Sequence, residues 1–197
     1  MRSVSALPFL LVGVLCLLLW TGGGQAAAGG LSTTATPTIT LTLGIVGTVP
    51  VGAQPKGVAV DASNHQVYIA LHGAPDNSNV AIVDGAAGAI LAITGTQGTR
   101  PNAVAVNSAT HKVYATNRDS NNLSEIDPAT GNRRQVAVGN KPFGLDVHPG
   151  LNRIYVANFG SDTVSIVNGQ TLVVTTVGGI NLPSFVAVNA AAHRVYV

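Results

Sequence analysis

Pro55, Pro101, Pro142 and Pro183 each open a run of alternating apolar residues, and each run leads to a tyrosine: Tyr68, Tyr114, Tyr155 and Tyr196. Proline to proline the steps are 46, 41 and 41 residues, and the tyrosines step by the same intervals. A fixed period near 40 residues, filled with short strands, predicts the blades of a β-propeller. The expected fold class is therefore all-β, built of four-stranded antiparallel blades.

Residues 101 to 141 show one unit in full. Ala103-Val104-Ala105-Val106 reads as a strand and Asn107 to His111 as a turn. Val113-Tyr114-Ala115-Thr116 reads as a second strand, followed by a loop from Asn117 to Asn122. Leu123-Ser124-Glu125-Ile126 reads as a third. Asp127-Pro128-Ala129-Thr130-Gly131 is a tight turn, because Asp caps its own backbone and Pro presets φ. Gln135 to Val138 closes the unit. The other units align with it. Their innermost strands carry a large-residue column, Val58, Val104, Leu145 and Val186, beside a small one, Ala59, Ala105, Asp146 and Ala187. Small residues are expected where neighbouring blades crowd together.

Tyr114-Ala115-Thr116-Asn117 and Tyr155-Val156-Ala157-Asn158 resemble the Tyr-Val-Thr-Asn motif of the YVTN-type β-propeller repeat proteins. The resemblance extends to Pro-x-Gly-Val-Ala-Val at Pro55 to Val60 and Val-Ser-Ile-Val at Val164 to Val167, and spans residues 39–197. It departs at Tyr68-Ile69-Ala70-Leu71 and at Tyr196-Val197. It implies an archaeal surface-layer or exported bacterial propeller, usually closed with seven blades. On that reading residues 39–197 are the N-terminal part of a longer ring, with the fourth repeat cut short. The alternative is a closed four-bladed ring, with Thr38 to Leu43 and Thr48 to Val51 completing the blade begun at Pro183. An open arc exposes an unpaired edge and an apolar blade face, which invites self-association.

Residues 1–28 read as a secretory signal peptide. Arg2 supplies the positive end, Leu7 to Trp20 is an uncharged run of 14, and Ala26-Ala27-Ala28 offers a small-residue cleavage pattern. The run is too short to span a bilayer, so no membrane span is expected after cleavage. Residues 29–38 read as a flexible leader. The expected location is secreted, periplasmic or cell-surface. Cys16, the only cysteine, leaves with the signal, so neither disulfide nor thiol chemistry is expected. Charged residues are only 9% of the chain, and loss of Arg2 leaves nine basic against eight acidic. That balance gives nucleic acid no electrostatic purchase.

No P-loop, Gly-x-Ser-x-Gly, His-x-x-x-His or cysteine cluster is present. His65, His111 and His193, with Asn152 in the fourth slot, read as turn residues, and His72 and His148 as isolated structural residues. Asp84, Asp127 and Asn168 read as hairpin caps. No metal and no cofactor are expected. Asp146, the one carboxylate in an alanine column, is the weak catalytic candidate, because a buried acid must find hydrogen bonds or a counter-charge.

Loops between blades, and those joining second to third strands, emerge on one face that is free to vary over a rigid frame. The candidate ligand- or partner-binding residues there are Lys56, Arg100, Asn102, Asn117, Arg118, Asp119, Lys141, Phe143, Asn158, Phe159 and Asp162. The favoured function is a non-catalytic binding or cell-surface module that contacts protein or glycan. The alternative is a lactonase- or lyase-like propeller enzyme with an acid at the central channel.

Overall fold

A computed structural model describes residues 47–52, 54–73 and 78–197. The signal peptide, the leader, the start of the repeat at Ile39 and Thr38 to Leu43 lie outside the described residues. The strands are β1 (Pro55–Asp61), β2 (Gln66–His72), β3 (Ser78–Asp84), β4 (Ala89–Gly95), β5 (Pro101–Asn107), β6 (Lys112–Asn117) and β7 (Asn122–Ile126). They continue with β8 (Arg133–Ala137), β9 (Pro142–His148), β10 (Arg153–Asn158), β11 (Thr163–Asn168), β12 (Val174–Gly178), β13 (Ala187–Asn189) and β14 (Arg194–Tyr196). A 3₁₀ turn, Pro149–Leu151, interrupts the third repeat. Among the described residues no helix is long and apolar enough to cross a membrane.

Each full repeat folds into one antiparallel meander. The sheets run β1-β2-β3-β4, β5-β6-β7-β8 and β9-β10-β11-β12, with β13-β14 as a fourth, two-stranded sheet. The innermost strands β1, β5, β9 and β13 lie side by side in sequence order. The chain thus forms an arc of a β-propeller.

The large and small columns mesh. Val104 packs with Tyr68, Ala70, Val80 and Ile82 of the preceding sheet, and Ala59 and Val106 join that cluster. Leu145 and Val147 pack in turn with Ala105 and Tyr114, and with Ala103. Bulky side chains of each inner strand therefore face backward, and small ones face forward to receive the next blade. Burial of each such Val, Leu or Ile stabilises the arc by about 1.5–3 kcal/mol. Val49 and Val51 cover the other face of the first sheet, over Val67, Ile69, Leu71, Ala81 and Val83. Residues 48–51 form no strand, and among the described residues β14 pairs only with β13. The ring closure expected of Thr48 to Val51 is thus not made, because Val49 and Val51 are spent on covering the first sheet.

Candidate functional site

The residue before each repeat proline has a left-handed backbone: Gln54, Arg100, Lys141 and Leu182, with φ of 54°, 54°, 47° and 45°. This turn swings the chain from the outer strand of one blade to the inner strand of the next. Each linker is sewn to nearby loops. Arg118 N–H donates to the Arg100 carbonyl at 3.0 Å and Phe159 N–H to the Lys141 carbonyl at 3.2 Å. Lys141 N–H donates to Asn121 Oδ1 at 2.8 Å, and Leu182 N–H to Asp162 Oδ1 at 2.9 Å. Backbone geometry thus places Arg100, Arg118, Lys141 and Phe159 on one face.

Between the second and third sheets that face holds an open depression of about 500 Å³, lined by Arg118, Asp119, Asn121, Asn140, Lys141 and Gly160. Asp119 sits between two cations, 3.3 Å from both Arg100 and Arg118. Lys141 adds a third positive charge with no carboxylate bonded to it among the described residues. Beside the depression, Phe143 is tilted against Phe159 (centroids 6.3 Å apart) and meets Phe185 edge-on at 5.7 Å. Phe159 is 37% exposed and Phe185 70%. The surface therefore combines cations, side-chain amides and aromatic edges, a composition suited to gripping an anionic or polar partner that also offers an apolar face.

The other expected residues fall elsewhere. Lys56 is exposed at the start of β1. Asn102 is half-buried, and its amide reaches the Phe143 carbonyl at 3.5 Å, tying two inner strands together. Asp162 is spent on the Leu182 amide. Asn117 and Asn158 do not belong to the loop surface at all: both are fully buried. Asn117 Nδ2 donates to Asn122 Oδ1 and Ser124 Oγ, each at 2.7 Å, and Ser124 Oγ donates to the Thr96 carbonyl. Asn158 Nδ2 donates to Thr163 Oγ1 at 3.1 Å and Ser165 Oγ at 2.9 Å. The motif asparagine thus staples the second strand to the third from inside the blade.

Asp146 is a half-buried brace. One carboxylate oxygen accepts the Val147 amide and the other the Val188 amide, both at 2.7 Å. It therefore joins β9 to β13, and no second carboxylate bonds with it for acid–base work. Asp84, Asp127 and Asn168 cap their hairpins through two backbone amides each.

The expectation that His148 stands alone is corrected: its Nε2 lies 2.9 Å from His193 Nδ1, with the two rings parallel. The pair belongs to a series at the hairpin face, opposite the depression. Asp61 reaches His111 at 2.6 Å and Asn107 reaches Asn152 at 2.8 Å. In every case the last residue of an inner strand grips the left-handed turn residue of the following repeat, and His111, Asn152 and His193 have φ of 57°, 47° and 52°. Burial pushes the Asp61 carboxyl up, but hydrogen bonds from His111 and Ser63 outweigh it and hold the group below its ordinary value.

Sequence reading also passed over Glu125, which stands where the neighbouring repeats carry Ile82 and Ile166. It is 3% exposed. Lys112 lies 3.0 Å away, Arg134 binds it at 2.7 and 2.9 Å, and the Tyr114 hydroxyl donates to it at 3.3 Å. Burial, then the Glu125 charge, drives the Tyr114 phenol far above its ordinary value. A carboxylate in an isoleucine column was the available signal. Phe185, at the glycine position of Pro183-Ser184-Phe185, was another.

No family model matches the chain, and no curated protein matches it. Among solved structures the fold is widespread, with 468 matching chains. One is Kuenenia stuttgartiensis hydrazine synthase, which is 17% identical with a TM-score of 0.62 and covers 76% of this chain. This chain spans 42% of the length of that one, and the likeness is one of fold: the repeats form part of a β-propeller.

Proposed function

We propose that the chain is an exported propeller scaffold of YVTN type that holds a protein or glycan partner on its loop face without catalysing a reaction. The observation that carries this reading is the depression between the second and third sheets, where Arg118 and Lys141 lie beside the Phe143–Phe159–Phe185 aromatic group. Asp146 braces β13, Glu125 is held by Lys112 and Arg134, Asp162 caps a linker, and Asp119, the carboxylate that lines the depression, is paired with Arg100 and Arg118. That distribution favours recognition over chemistry, since general acid–base work is poorly served by a carboxylate held between two guanidinium groups.

The test is retention of the full chain on arrays of uronate, neutral and amino-sugar polysaccharides and of peptides, with Lys141→Ala and Phe159→Ala beside the wild type. Retention on one class, lost in both variants while their melting temperatures stay within about 2 °C of wild type, supports the reading. Equal retention of both variants, or none by the wild type, overturns it.

A further inference from the structure

The three junctions share one backbone geometry but differ in the chemistry of the pair that closes them. Each strand-end residue works twice. Asp61 Oδ1 accepts the Ser63 amide while Oδ2 meets His111. Asn107 Oδ1 accepts the Ala109 amide while Nδ2 donates to Asn152 Oδ1. His148 Nδ1 accepts the Leu151 amide at 3.2 Å while Nε2 meets His193.

The last set of bonds fixes both rings. Because His148 Nδ1 accepts from Leu151, its proton sits on Nε2 and is donated to His193 Nδ1. His193 Nδ1 must then present a lone pair. A proton added to His148 Nδ1 faces the Leu151 N–H, and one added to His193 Nδ1 faces the His148 N–H. Every protonation at these bonded nitrogens sets two donors against each other. At the first junction the opposite holds. His111 Nδ1–H donates to a carboxylate whether the ring is neutral or charged, and protonation adds an ion pair.

We infer that the junction between the third sheet and β13–β14 is an acid-operated latch, closed by neutral His148 and His193 and opened by protonation, while the Asp61–His111 junction tightens.

The charged residues placed around the pair are Arg153, directly opposite His148 in the β9–β10 pairing, and Arg194, next to His193 in sequence. Asp146, two residues before His148 on its own strand, is occupied by the Val147 and Val188 amides. The Leu151 turn brings only its backbone amide. His148 is buried but His193 is exposed, so the proton has an entry route. At the first junction the nearby titratable groups are Tyr68, on the adjoining strand, and Lys112, which is held by Glu125. The second junction, Asn107–Asn152, has no titratable member and serves as an internal control.

Amide hydrogen exchange on the full chain, corrected for the intrinsic pH dependence of exchange, tests the latch. Protection of Leu151 and Val188 is compared at about pH 7.5 and about pH 5, a span over which imidazoles take up a proton. The expected result is a loss of at least about tenfold at these two amides, as for a coupling of about 1.4 kcal/mol, with Ala109 at the second junction unchanged. The double variant His148→Asn/His193→Asn reproduces the Asn107–Asn152 pair and should lose less than about threefold, under half that coupling. Ring ¹⁵N spectra of the wild type give a reading independent of any variant: His148 protonated at Nε2 alone at the higher pH. Unchanged protection in the wild type, an equal loss in the double variant, or His148 protonated at Nδ1 at the higher pH each overturns the latch.

Discussion

Gly57 lies against the backbone of Ala103: a Cβ on Gly57 would stand 2.7 Å from the Ala103 Cα. Gly144 is in the same position one junction further on, where a Cβ would meet the Ser184 carbonyl oxygen at 2.7 Å and the Phe185 Cα at 2.9 Å. The Pro-x-Gly glycine is thus where adjacent inner strands touch. Gly57→Ala and Gly144→Ala should each cost about 1–3 kcal/mol through forced backbone separation, read as a lowered urea midpoint. Gly131→Ala, with open space around it but φ of 73°, should cost about 1 kcal/mol from the left-handed backbone alone.

Glu125 predicts an asymmetry between substitutions. Glu125→Ala leaves a void in the interface and removes the acceptor shared by Tyr114, Lys112 and Arg134, and should destabilise by about 2–4 kcal/mol. Glu125→Ile restores the isoleucine column of the neighbouring repeats and should cost less than half as much, because the two cations are partly exposed and can turn to water. Denaturant unfolding of both variants decides it, and equal losses would refute the asymmetry.

Asp61 gives a pH dependence of definite sign. Its carboxyl is held below the ordinary 3.8 in the folded chain, so the unfolded chain takes up a proton first as the pH falls. The stabilisation is complete above the ordinary value and is lost as the pH drops through the lower folded one. Urea midpoints from about pH 5 to about pH 2.5 should fall more steeply in the wild type than in Asp61→Asn.

The motif asparagines should behave as core residues. Asn117→Ala and Asn158→Ala should each destabilise by about 1–3 kcal/mol, because the buried oxygens of Ser124 and Ser165 lose their amide donor. Phe159→Ala, at the surface, should leave the melting temperature within about 2 °C of wild type. A surface role for the asparagines would show the reverse pattern in a thermal melt.

The strands were readable because alternation and repetition report directly on burial. Val104 and Ala105 announce opposite faces of one strand, and the 41-residue step announces that those faces meet copies of themselves. The site was readable only where sequence position coincides with loop position, as for Arg118 and Lys141. Asn117 ends a strand and adjoins a loop, and composition alone does not say whether its side chain turns inward. The serine seven residues on, Ser124, is its partner, and the same spacing recurs from Asn158 to Ser165. The junction pairs were hidden for another reason. Asp61 and His111 are 50 residues apart, and their contact follows only once one blade is known to sit beside the next.

The uniform left-handed step before each repeat proline has a consequence for how such a chain can grow. Because that step and the strand-end grip are made the same way at every seam, residues 101–141 behave as a cassette with matching plugs at both ends. In a second copy spliced in frame after Lys141, His111 would face the Asn107 of its forerunner, and the forerunner's Ala103 would stand at the new seam where Gly57 stands at the first. Lengthening the arc by duplication thus requires no new loop, only a side-chain pair able to share one proton.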